Sequence, residues 1–497
     1  MFNGSPSNSF VAHCLEQVRR HPLRPLHFGK VQSVVGLLIE ASELPAAVGE
    51  LCYIHEGQEP GARRIKAEVV GLRGNTTILM PLEETRGLRA GYLVEPSALP
   101  LTIRVGEAML GRVVDANARP IDGKGPLTVT DEQPVRNDPP PPLSRRMIDT
   151  PLFTGIRAID TFLTLGRGQR IGIFAGSGVG KSTLLGMIAR RARADVNVIA
   201  LIGERGREVQ EFIADNLGPE GLKRSVVVAV TGDQAAMSRV KGASVAMAIA
   251  EYFRDRGLDV LLMMDSITRV AMAQREIGLA VGEPPTTRGY TPSVFAMLPR
   301  LLERAGPGAR GTITGIFTVL VDADDMNDPI GDAVRGILDG HIVLSRRLAH
   351  ANHFPAIDVL QSVSRVMPRV TTAEHRALVE EARRLLATYQ EAEDLIRVGA
   401  YEMGTRPEID RAILPTKRSC FPAPGRRRSC RRPGRATGQH ATQPARPRFV
   451  NWPTFCFNDR YLHNRRVVPR SVLCKARNSA FRCKVCCACG SIRPNRP

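Results

Sequence analysis

The sequence predicts an α/β protein: a mostly parallel β-sheet with helices on both faces, a small β-barrel before it and a helical unit after it. Between residues 170 and 345, apolar strand-like runs alternate with helical patterns, which is typical of parallel sheets with helical crossovers. Before residue 100, short β-branched runs separated by turn residues favour a barrel. After residue 372, apolar residues recur at the three- and four-residue intervals of a helix.

The same patterns set the predicted strands and domain limits. The run NDPPPP, which ends at Pro142, can continue neither a helix nor a central strand and marks an extended linker. The runs predicted as sheet strands are RIGIFAG, VNVIALIG, SVVVAVTG, VLLMMDS, GTITGIFTVLV and GHIVLSR. The predicted domains are an N-terminal extension (1–28), the barrel (29–100), a connecting segment and linker (101–150), the α/β domain (151–370), an incomplete helical domain (371–414) and a basic tail (415–497).

The basic charge of the chain is confined to its last sixth. The 497 residues carry a net charge of +20, but residues 415–497 hold 20 Lys plus Arg and one acid, Asp459. The remaining 49 basic and 48 acidic side chains give a net charge of +1, so the body of the chain lacks the charge expected of a nucleic-acid-binding protein. Apolar runs of about 18 residues are absent, which predicts a cytoplasmic protein.

The tail is rich in Arg, Pro and Cys and shows no sustained period. Eight of the ten cysteines lie in it, so the body is typical of a reduced cytosolic protein. Three interpretations of the tail stay open. Cys483 and Cys486 have the spacing of zinc ligands, but no second well-spaced pair completes a site. A disordered basic tail is the second interpretation, and a reading frame that slips near Leu414 of a GC-rich gene is the one we favour.

A phosphate-binding loop is the strongest functional signal. The string AGSGVGKST follows the apolar run IGIF and precedes a helical pattern, the order in which glycine-loop N–H groups and a helix N-terminus surround phosphate oxygens. Lys181 would reach the β- and γ-phosphates of ATP, and the Ser182 hydroxyl would bind Mg²⁺. Ala175 replaces the usual first glycine. The predicted nucleotide-binding residues are Gly176, Ser177, Gly178, Val179, Gly180, Lys181, Ser182 and Thr183.

Two acidic residues end predicted strands and are candidates for the hydrolytic chemistry. Asp265 closes VLLMMD, at the position where P-loop enzymes place a carboxylate in the Mg²⁺ shell. Glu204 closes LIGE and could orient and polarise the attacking water. The alternative for this second segment is a solvated ion-pair cluster of Glu204, Arg205 and Glu208.

An arginine near the end of another predicted strand is the fourth candidate. Arg365 closes PAIDVLQSVSR, and an arginine placed there can stabilise the γ-phosphate charge in the transition state. The sequence leaves open whether it would act in its own site, in a neighbour's site, or only as a surface charge.

Taken in order, these motifs resemble the family of rotary-ATPase catalytic subunits and their protein-export relatives. Within that family the chain most resembles the flagellar and type III secretion export ATPases, and DAVRGILDGHIVLSR favours the flagellar branch. The resemblance runs from residue 29 to residue 412. It rests on AGSGVGKST, GERGREV, LLMMDSITRVAMAQREI, PAIDVLQSVSR, GRVVDANARPIDGKGPL and RGYTPSVFAMLPRLLERAG.

The resemblance implies a RecA-like P-loop NTPase core with an N-terminal β-barrel and a C-terminal helical domain, assembled as a homohexamer with ATP sites between subunits. By motif match, Arg205 would stand near the γ-phosphate, Arg365 would be an arginine finger for the adjacent subunit, and Phe354 would pack on adenine. A sequential or rotary hydrolysis cycle would help to unfold or release export substrates and their chaperones at the membrane-embedded export gate. The implied partners are a stator-like regulator, a central stalk and the export gate, with the enzyme peripheral at the inner face of the cytoplasmic membrane.

Other functions remain as alternatives. The same enzyme could serve an injectisome, and an ATP-synthase subunit is disfavoured because export-type strings cover the central domain and its flanks. An RNA-translocating hexamer would need stacking aromatics on its barrel, where only Tyr53 and Tyr92 occur between residues 31 and 100. The segment after residue 412 departs from the family pattern, so a nucleotide-binding but assembly-defective copy is a further alternative.

Overall fold

A computed structural model gives the fold. The predicted N-terminal extension up to residue 26, the tail from residue 419 and the Cys483 and Cys486 pair lie outside the described residues. In the ranges that the structure does describe, no helix combines the length and apolar character needed to cross a membrane. Those ranges are residues 27–57, 63–83, 85, 87–321 and 328–418, with side chains described as far as residue 413.

The first part of the fold is a closed six-stranded antiparallel barrel, which confirms the predicted barrel. Its strands pair in the order β1-β2-β5-β4-β3-β6. Alternate side chains point inward, and Ile39, Ile54, Ile65 and Leu79 in the interior are fully buried or nearly so. The strands are β1 (Gly29–Val35), β2 (Leu38–Ser42), β3 (Glu50–His55), β4 (Arg64–Arg73), β5 (Thr76–Pro81) and β6 (Leu93–Pro100).

The central domain is built on a nine-stranded sheet, and the six predicted strands are all present in it. The order is β19-β18-β12-β17-β15-β13-β14-β8, with β16 paired beside β17. All neighbours are parallel except that β19 is antiparallel to β18 and β16 to β17. The strands of this sheet are β8 (Val113–Val114), β12 (Arg170–Ala175), β13 (Val196–Glu204), β14 (Ser225–Thr231), β15 (Asp259–Asp265), β16 (Gly306–Pro307), β17 (Thr312–Leu320), β18 (Gly340–Leu344) and β19 (Ile357–Ser364). Two separate two-stranded sheets pair β7 (Thr102–Val105) with β9 (Asp131–Pro134) and β10 (Pro151–Leu152) with β11 (Leu165–Gly166).

Helices cover both faces of this sheet, as the alternating pattern predicts. All nine residues of β13 are buried, and its alternate side chains enter two separate apolar cores: Val198 and Ile202 lie in one, Ile199 and Leu201 in the other. The helices are α1 (Arg157–Phe162), α2 (Lys181–Arg191), α3 (Gly206–Glu211), a π-helical turn (Phe212–Leu217), α4 (Gly218–Lys223), α5 (Ala236–Asp255), α6 (Ile267–Ala280), α7 (Pro292–Leu302), α8 (Pro329–Ile337), α9 (Arg346–His350), α10 (Met367–Val370), α11 (Ala373–Arg397) and α12 (Pro407–Arg418).

The helical unit begins where the periodic pattern predicts. The Thr372 hydroxyl caps α11 by accepting from the His375 N–H at 3.2 Å. Ala392 is buried against Ile409 of α12, but Leu378, which the period places on the buried stripe, is 54% exposed. Val379 is buried instead, so the buried face at the start of α11 is shifted by one residue from the predicted stripe.

A buried ion pair fastens the linker to the central domain. Arg304 and Glu251 of α5 are 5% and 0% exposed, and the Arg304 Nε and Nη2 donate to the two carboxylate oxygens at 2.8 and 2.7 Å. The Arg304 Nη1 also donates to the Val135 carbonyl at 2.9 Å, and Asn137 at the start of the linker donates to Glu251 at 3.5 Å. The buried charges of Arg304 and Glu251 are therefore paired with each other, as burial requires.

We expect Arg304→Met to lower the free energy of unfolding by about 3–5 kcal/mol, because it leaves the Glu251 carboxylate buried and unpaired. Urea unfolding followed by circular dichroism measures the loss. Lys223→Ala is the control, since Lys223 pairs with Glu220 on the surface, where such a pair contributes about 0–1 kcal/mol. Equal losses of unfolding free energy in the two variants would contradict the conclusion that the buried pair contributes more than a surface pair.

Candidate nucleotide-binding site

The phosphate-binding loop connects the carboxyl end of β12 to the amino end of α2. Gly178 and Gly180 have φ values of 79° and 88°, a left-handed conformation that side chains disfavour. Val179 is 3% exposed and packs into the apolar core, whereas Ser177, Ser182 and the neighbouring Thr183 are exposed. The valine therefore anchors the loop, while the loop backbone and the serine and threonine hydroxyl groups stay available to a ligand.

Lys181 lies between two buried carboxylates. Its Nζ is 2.5 Å from the Asp265 Oδ1 and 3.8 Å from the Glu204 Oε1. Asp265 ends β15 and Glu204 ends β13, and these strands are parallel neighbours, so both carboxylates emerge at the same sheet edge as the loop. The structure thus brings together three residues that lie far apart in the sequence.

The surroundings of the Glu204 carboxyl raise its pKa. Burial, and next the negative charge of Asp265, raise its pKa from the ordinary 4.5 to about 7. The buried Glu204 Oε1 has no hydrogen-bond partner; its charged neighbours are Lys181 and the Arg269 Nε, 3.4 Å away. A carboxyl of this pKa can accept a proton from water near neutral pH.

Two residues in this cluster are missed by the sequence analysis. Thr318 of β17 donates its hydroxyl to the Asp265 Oδ1 at 2.8 Å and is fully buried. Arg269 of α6 pairs with Glu204. The available signals were a threonine inside the apolar run TITGIFTVL and an arginine four positions after Asp265, neither of which indicates a site without the fold.

A small cavity adjoins the carboxylates at the edge of the sheet. Its volume is about 20 Å³, room for about one water molecule. The described residues hold no cluster of three or more His, Cys, Asp and Glu that could bind a metal. Mg²⁺ does not need one, because it binds through one or two carboxylates together with phosphates and water, and the Ser182 hydroxyl and Asp265 are donors of that kind. The cavity is lined by Ser182, Leu201, Glu204, Glu208, Val209, Phe212 and Asp265.

Arg205 is paired at the surface rather than with the two buried carboxylates. Its side chain is 80% exposed, and its Nη1 lies 3.5 Å from the Glu208 Oε1. The ion-pair alternative raised by the sequence thus describes Arg205 and Glu208, while Glu204 is turned inward to Lys181 and Arg269. The closeness of Arg205 to a γ-phosphate stays a prediction.

Phe354 lies beside the phosphate-binding loop. A Cβ placed on Gly180 would be 3.6 Å from its ring, and the ring is 53% exposed. Phe354 shortly precedes β19. Because β19 runs antiparallel to its neighbour β18, the start of β19 lies on the same side of the sheet as the loop. An exposed ring at this position can stack on a planar base.

Arg365 lies at the opposite edge of the sheet. Its N–H donates to the Asp339 carbonyl at 3.0 Å, and the Asp339 N–H donates to the carbonyl of Arg170, the first residue of β12. The loop begins after the last residue of β12, which lies about 16 Å from Arg170 at the usual rise per residue of a strand. An arginine side chain does not span that distance, so Arg365 is out of reach of the loop of its own subunit.

Comparison with known proteins shows close relatives. The chain is 56% identical over 390 residues to the flagellum-specific ATP synthase of Bacillus subtilis (strain 168), an alignment covering 78% of this chain and 88% of the relative. It is 52% identical over 386 residues to the type 3 secretion system ATPase of Xanthomonas euvesicatoria, covering 78% and 87%.

Solved structures match over a similar length. The assembled ATPase EscN of the enteropathogenic E. coli type III secretion system superposes with a TM-score of 0.73 at 51% identity. EscN in complex with its central stalk EscO gives a TM-score of 0.71 at 50% identity. Each match covers 78% of this chain and 93% of the other.

We expect Glu204→Gln to change how stability depends on pH. Because the pKa of this carboxyl is about 7 in the folded chain and near 4.5 when unfolded, the unfolded state loses its proton first as the pH rises. The stability associated with protonated Glu204 is therefore complete below about pH 4.5 and is lost as the pH approaches about 7. Relative to the parent, the variant should gain on the order of 1–3 kcal/mol between pH 4.5 and 8.

Urea unfolding at both pH values measures this difference. Glu220→Gln, which removes an exposed carboxylate, controls for the loss of one negative charge. A stability difference between Glu204→Gln and the parent that does not vary with pH would contradict the raised pKa.

Three family models account for the architecture. Residues 155–364 match the nucleotide-binding domain of the ATP synthase alpha/beta family, and residues 31–97 match its beta-barrel domain. Residues 371–417 match the T3SS EscN ATPase C-terminal domain. With the relatives above, these matches show that the chain belongs to the ATP synthase alpha/beta family, in its branch of flagellum-specific and type III secretion ATPases.

Proposed function

We propose that this chain hydrolyses ATP as a homohexamer and that the reaction powers flagellar type III protein export. The observation that carries the proposal is the placement of Lys181 between Glu204 and Asp265 beside a phosphate-binding loop. A cation and two carboxylates at this edge supply the groups needed to hold a polyphosphate, its metal and an attacking water. The 56% identity with a flagellum-specific ATP synthase supports the export role.

Lys181 would exchange partners when ATP binds. Its ammonium group contacts Asp265, and the β- and γ-phosphates would draw it away because they carry more charge. Asp265, freed from Lys181 and still held by the Thr318 hydroxyl, and Ser182 would then hold Mg²⁺. When bound, Mg²⁺ would supply positive charge that offsets the negative charge of the phosphates.

Glu204 would accept the proton of the attacking water. The carboxyl borders the cavity beside Asp265, from which a water could donate to it. Arg269, 3.4 Å from the Glu204 Oε1, holds the carboxylate in place. The raised pKa would keep Glu204 basic enough to take a proton and acidic enough to release it at neutral pH.

The remaining site residues would act on the nucleotide from outside this cluster. Phe354, beside the loop and half-exposed, would pack on adenine. Arg365 cannot reach its own loop, so it would serve as the arginine finger of the adjacent subunit's site. Arg205 is exposed and held only by a surface ion pair, so it is free to turn toward a γ-phosphate.

The assembly and its partners follow from the relatives. EscN is described as assembled and in complex with a central stalk, and we propose a hexamer and a stalk protein for this chain. A stator-like regulator, the export gate, export substrates and chaperones complete the proposed partners, with the enzyme peripheral at the inner face of the cytoplasmic membrane. No nucleic-acid partner is proposed.

An injectisome is the second candidate destination. The 52% identity with a type 3 secretion system ATPase favours it nearly as much as the flagellar relatives favour the first. Restoration of motility in a strain lacking its flagellar export ATPase would support flagellar export, and restoration of effector secretion alone would support the injectisome.

We expect full-length protein to release phosphate from ATP with a specific activity that rises with protein concentration, because finger and loop come from different subunits. Lys181→Ala should abolish turnover and Glu204→Gln should lower it at least about 100-fold while keeping ATP binding. Malachite-green phosphate assays and a fluorescent ATP analogue measure the two properties.

Exposed Glu220→Gln, remote from the cluster, is the matched control for loss of a carboxylate. Normal turnover in Glu204→Gln would overturn the role of Glu204. ATP binding without phosphate release at any concentration of the unaltered chain would instead indicate the assembly-defective copy.

We also expect Arg365→Ala to abolish turnover by itself and to recover part of it when mixed with Lys181→Ala protein. In a mixed ring, an intact loop on an Arg365→Ala subunit can face an intact finger on a Lys181→Ala subunit. Phosphate release across a series of mixing ratios measures recovery. Full activity of Arg365→Ala alone would rule out the finger.

A further inference from the structure

Gln169 is a buried polar residue that the proposed mechanism does not use. It directly precedes β12 and is 0% exposed. Its Nε2 donates to the Ser364 hydroxyl oxygen at 3.1 Å and to the Asp339 carbonyl at 3.3 Å, while its Oε1 accepts from the Gly166 N–H at 2.9 Å. Because both ends of the amide are engaged, the side chain has a single orientation.

The groups that Gln169 binds are those that hold Arg365. Ser364 is the preceding residue, and the Asp339 carbonyl also accepts the Arg365 N–H at 3.0 Å. Arg170 fixes the Asp339 carboxylate in turn, with its N–H and Nε donating to Oδ2 at 3.0 and 3.2 Å and its Nη2 to Oδ1 at 3.1 Å. Two successive residues at the start of β12 therefore clamp the backbone at Arg365.

The guanidinium of Arg365 depends on this backbone for its direction. Arg365 is exposed, and its Nη1 makes a long hydrogen bond of 3.4 Å to the Leu338 carbonyl. A long, exposed side chain has many rotamers, so the position of its Cα and the direction of its first bond decide which of them reach a neighbouring subunit.

We propose that Gln169 is a positioning residue for Arg365, and so acts on hydrolysis in the adjacent subunit rather than in its own. This inference rests on the proposed role of Arg365 as the finger. The Gln169 amide prevents the end of β19 from shifting against β12, and a misplacement of about 1 Å at a group that acts in the transition state can lower a rate about 100-fold.

The position of Gln169 separates two kinds of kinetic effect. The loop at the far end of β12 binds the nucleotide of the same subunit, whereas the finger acts on the charge that develops during hydrolysis next door. Loss of the Gln169 amide should therefore lower kcat and leave KM for ATP nearly unchanged. Damage to the subunit's own loop would raise KM.

Gln169→Met tests the proposal, because methionine keeps the length of the side chain and removes its hydrogen bonds. Thr314→Val is the matched control: Thr314 is 3% exposed, and its hydroxyl accepts from the Gly168 N–H at 2.8 Å, so it supports the same turn without touching the finger. Steady-state hydrolysis by full-length variants, at concentrations where the parent is assembled, gives kcat and KM. Thermal unfolding shows whether each variant is folded.

We expect Gln169→Met to lower kcat about 10- to 100-fold with KM within about twofold, and Thr314→Val to keep both within about twofold of the parent. If Gln169→Met does not fold, Ser364→Ala tests the proposal, because it removes the hydroxyl that accepts the hydrogen bond of the Gln169 amide. We expect Ser364→Ala to lower kcat about fivefold or more. Unchanged kcat in the folded variant, a loss confined to KM, or an equal loss in Thr314→Val would overturn the proposal.

Arg365→Ala is assayed in parallel to separate the two levels of inference. If Arg365→Ala keeps full turnover, the finger assignment fails and the positioning role fails with it. If Arg365→Ala is inactive while Gln169→Met is normal, the finger stands and only the positioning role is overturned.

Discussion

Parallel pairing of β12, β13 and β15 with their neighbours is the constraint on which the rest of the structure depends. Backbone hydrogen bonding in one direction brings the carboxyl ends of these strands to one edge of the sheet. Lys181, Glu204 and Asp265 meet there although more than 80 residues separate the first from the last. The positive charge of the lysine partly compensates the negative charges of the two buried carboxylates.

The single antiparallel strand at this end of the sheet explains why the last two site residues separate. Since β19 runs against β18, Phe354 before it lies at the loop edge and Arg365 after it lies at the opposite edge. The two ends of one strand thus place Phe354 beside the phosphate-binding loop and Arg365 out of its reach. This separation is what the proposed arrangement requires, in which Phe354 would act on the subunit's own nucleotide and Arg365 on that of a neighbour.

Much of this was predictable because it is encoded locally. The loop glycines, the apolar strands and the acidic residues at their ends are short patterns whose physics needs no distant partner. Arg269, Thr318 and Gln169 could not be found in that way, since an arginine, a threonine and a glutamine acquire their roles only from groups that the fold brings to them. The edge of the sheet at which Arg365 lies could not be predicted for the same reason, because it depends on the direction of β19, which the sequence of that strand does not encode.

The contacts around β12 lead to a view of how neighbouring sites could be linked. Gln169, just before the strand, and Arg170, its first residue, hold the backbone at Arg365, and the strand ends in the loop that would bind the phosphates. All six of its residues pair with β17 and four with β18, so the strand is held on both sides and moves as a unit if it moves at all. A displacement of the loop on nucleotide binding would then shift the start of the strand, and with it the arginine offered to the next subunit.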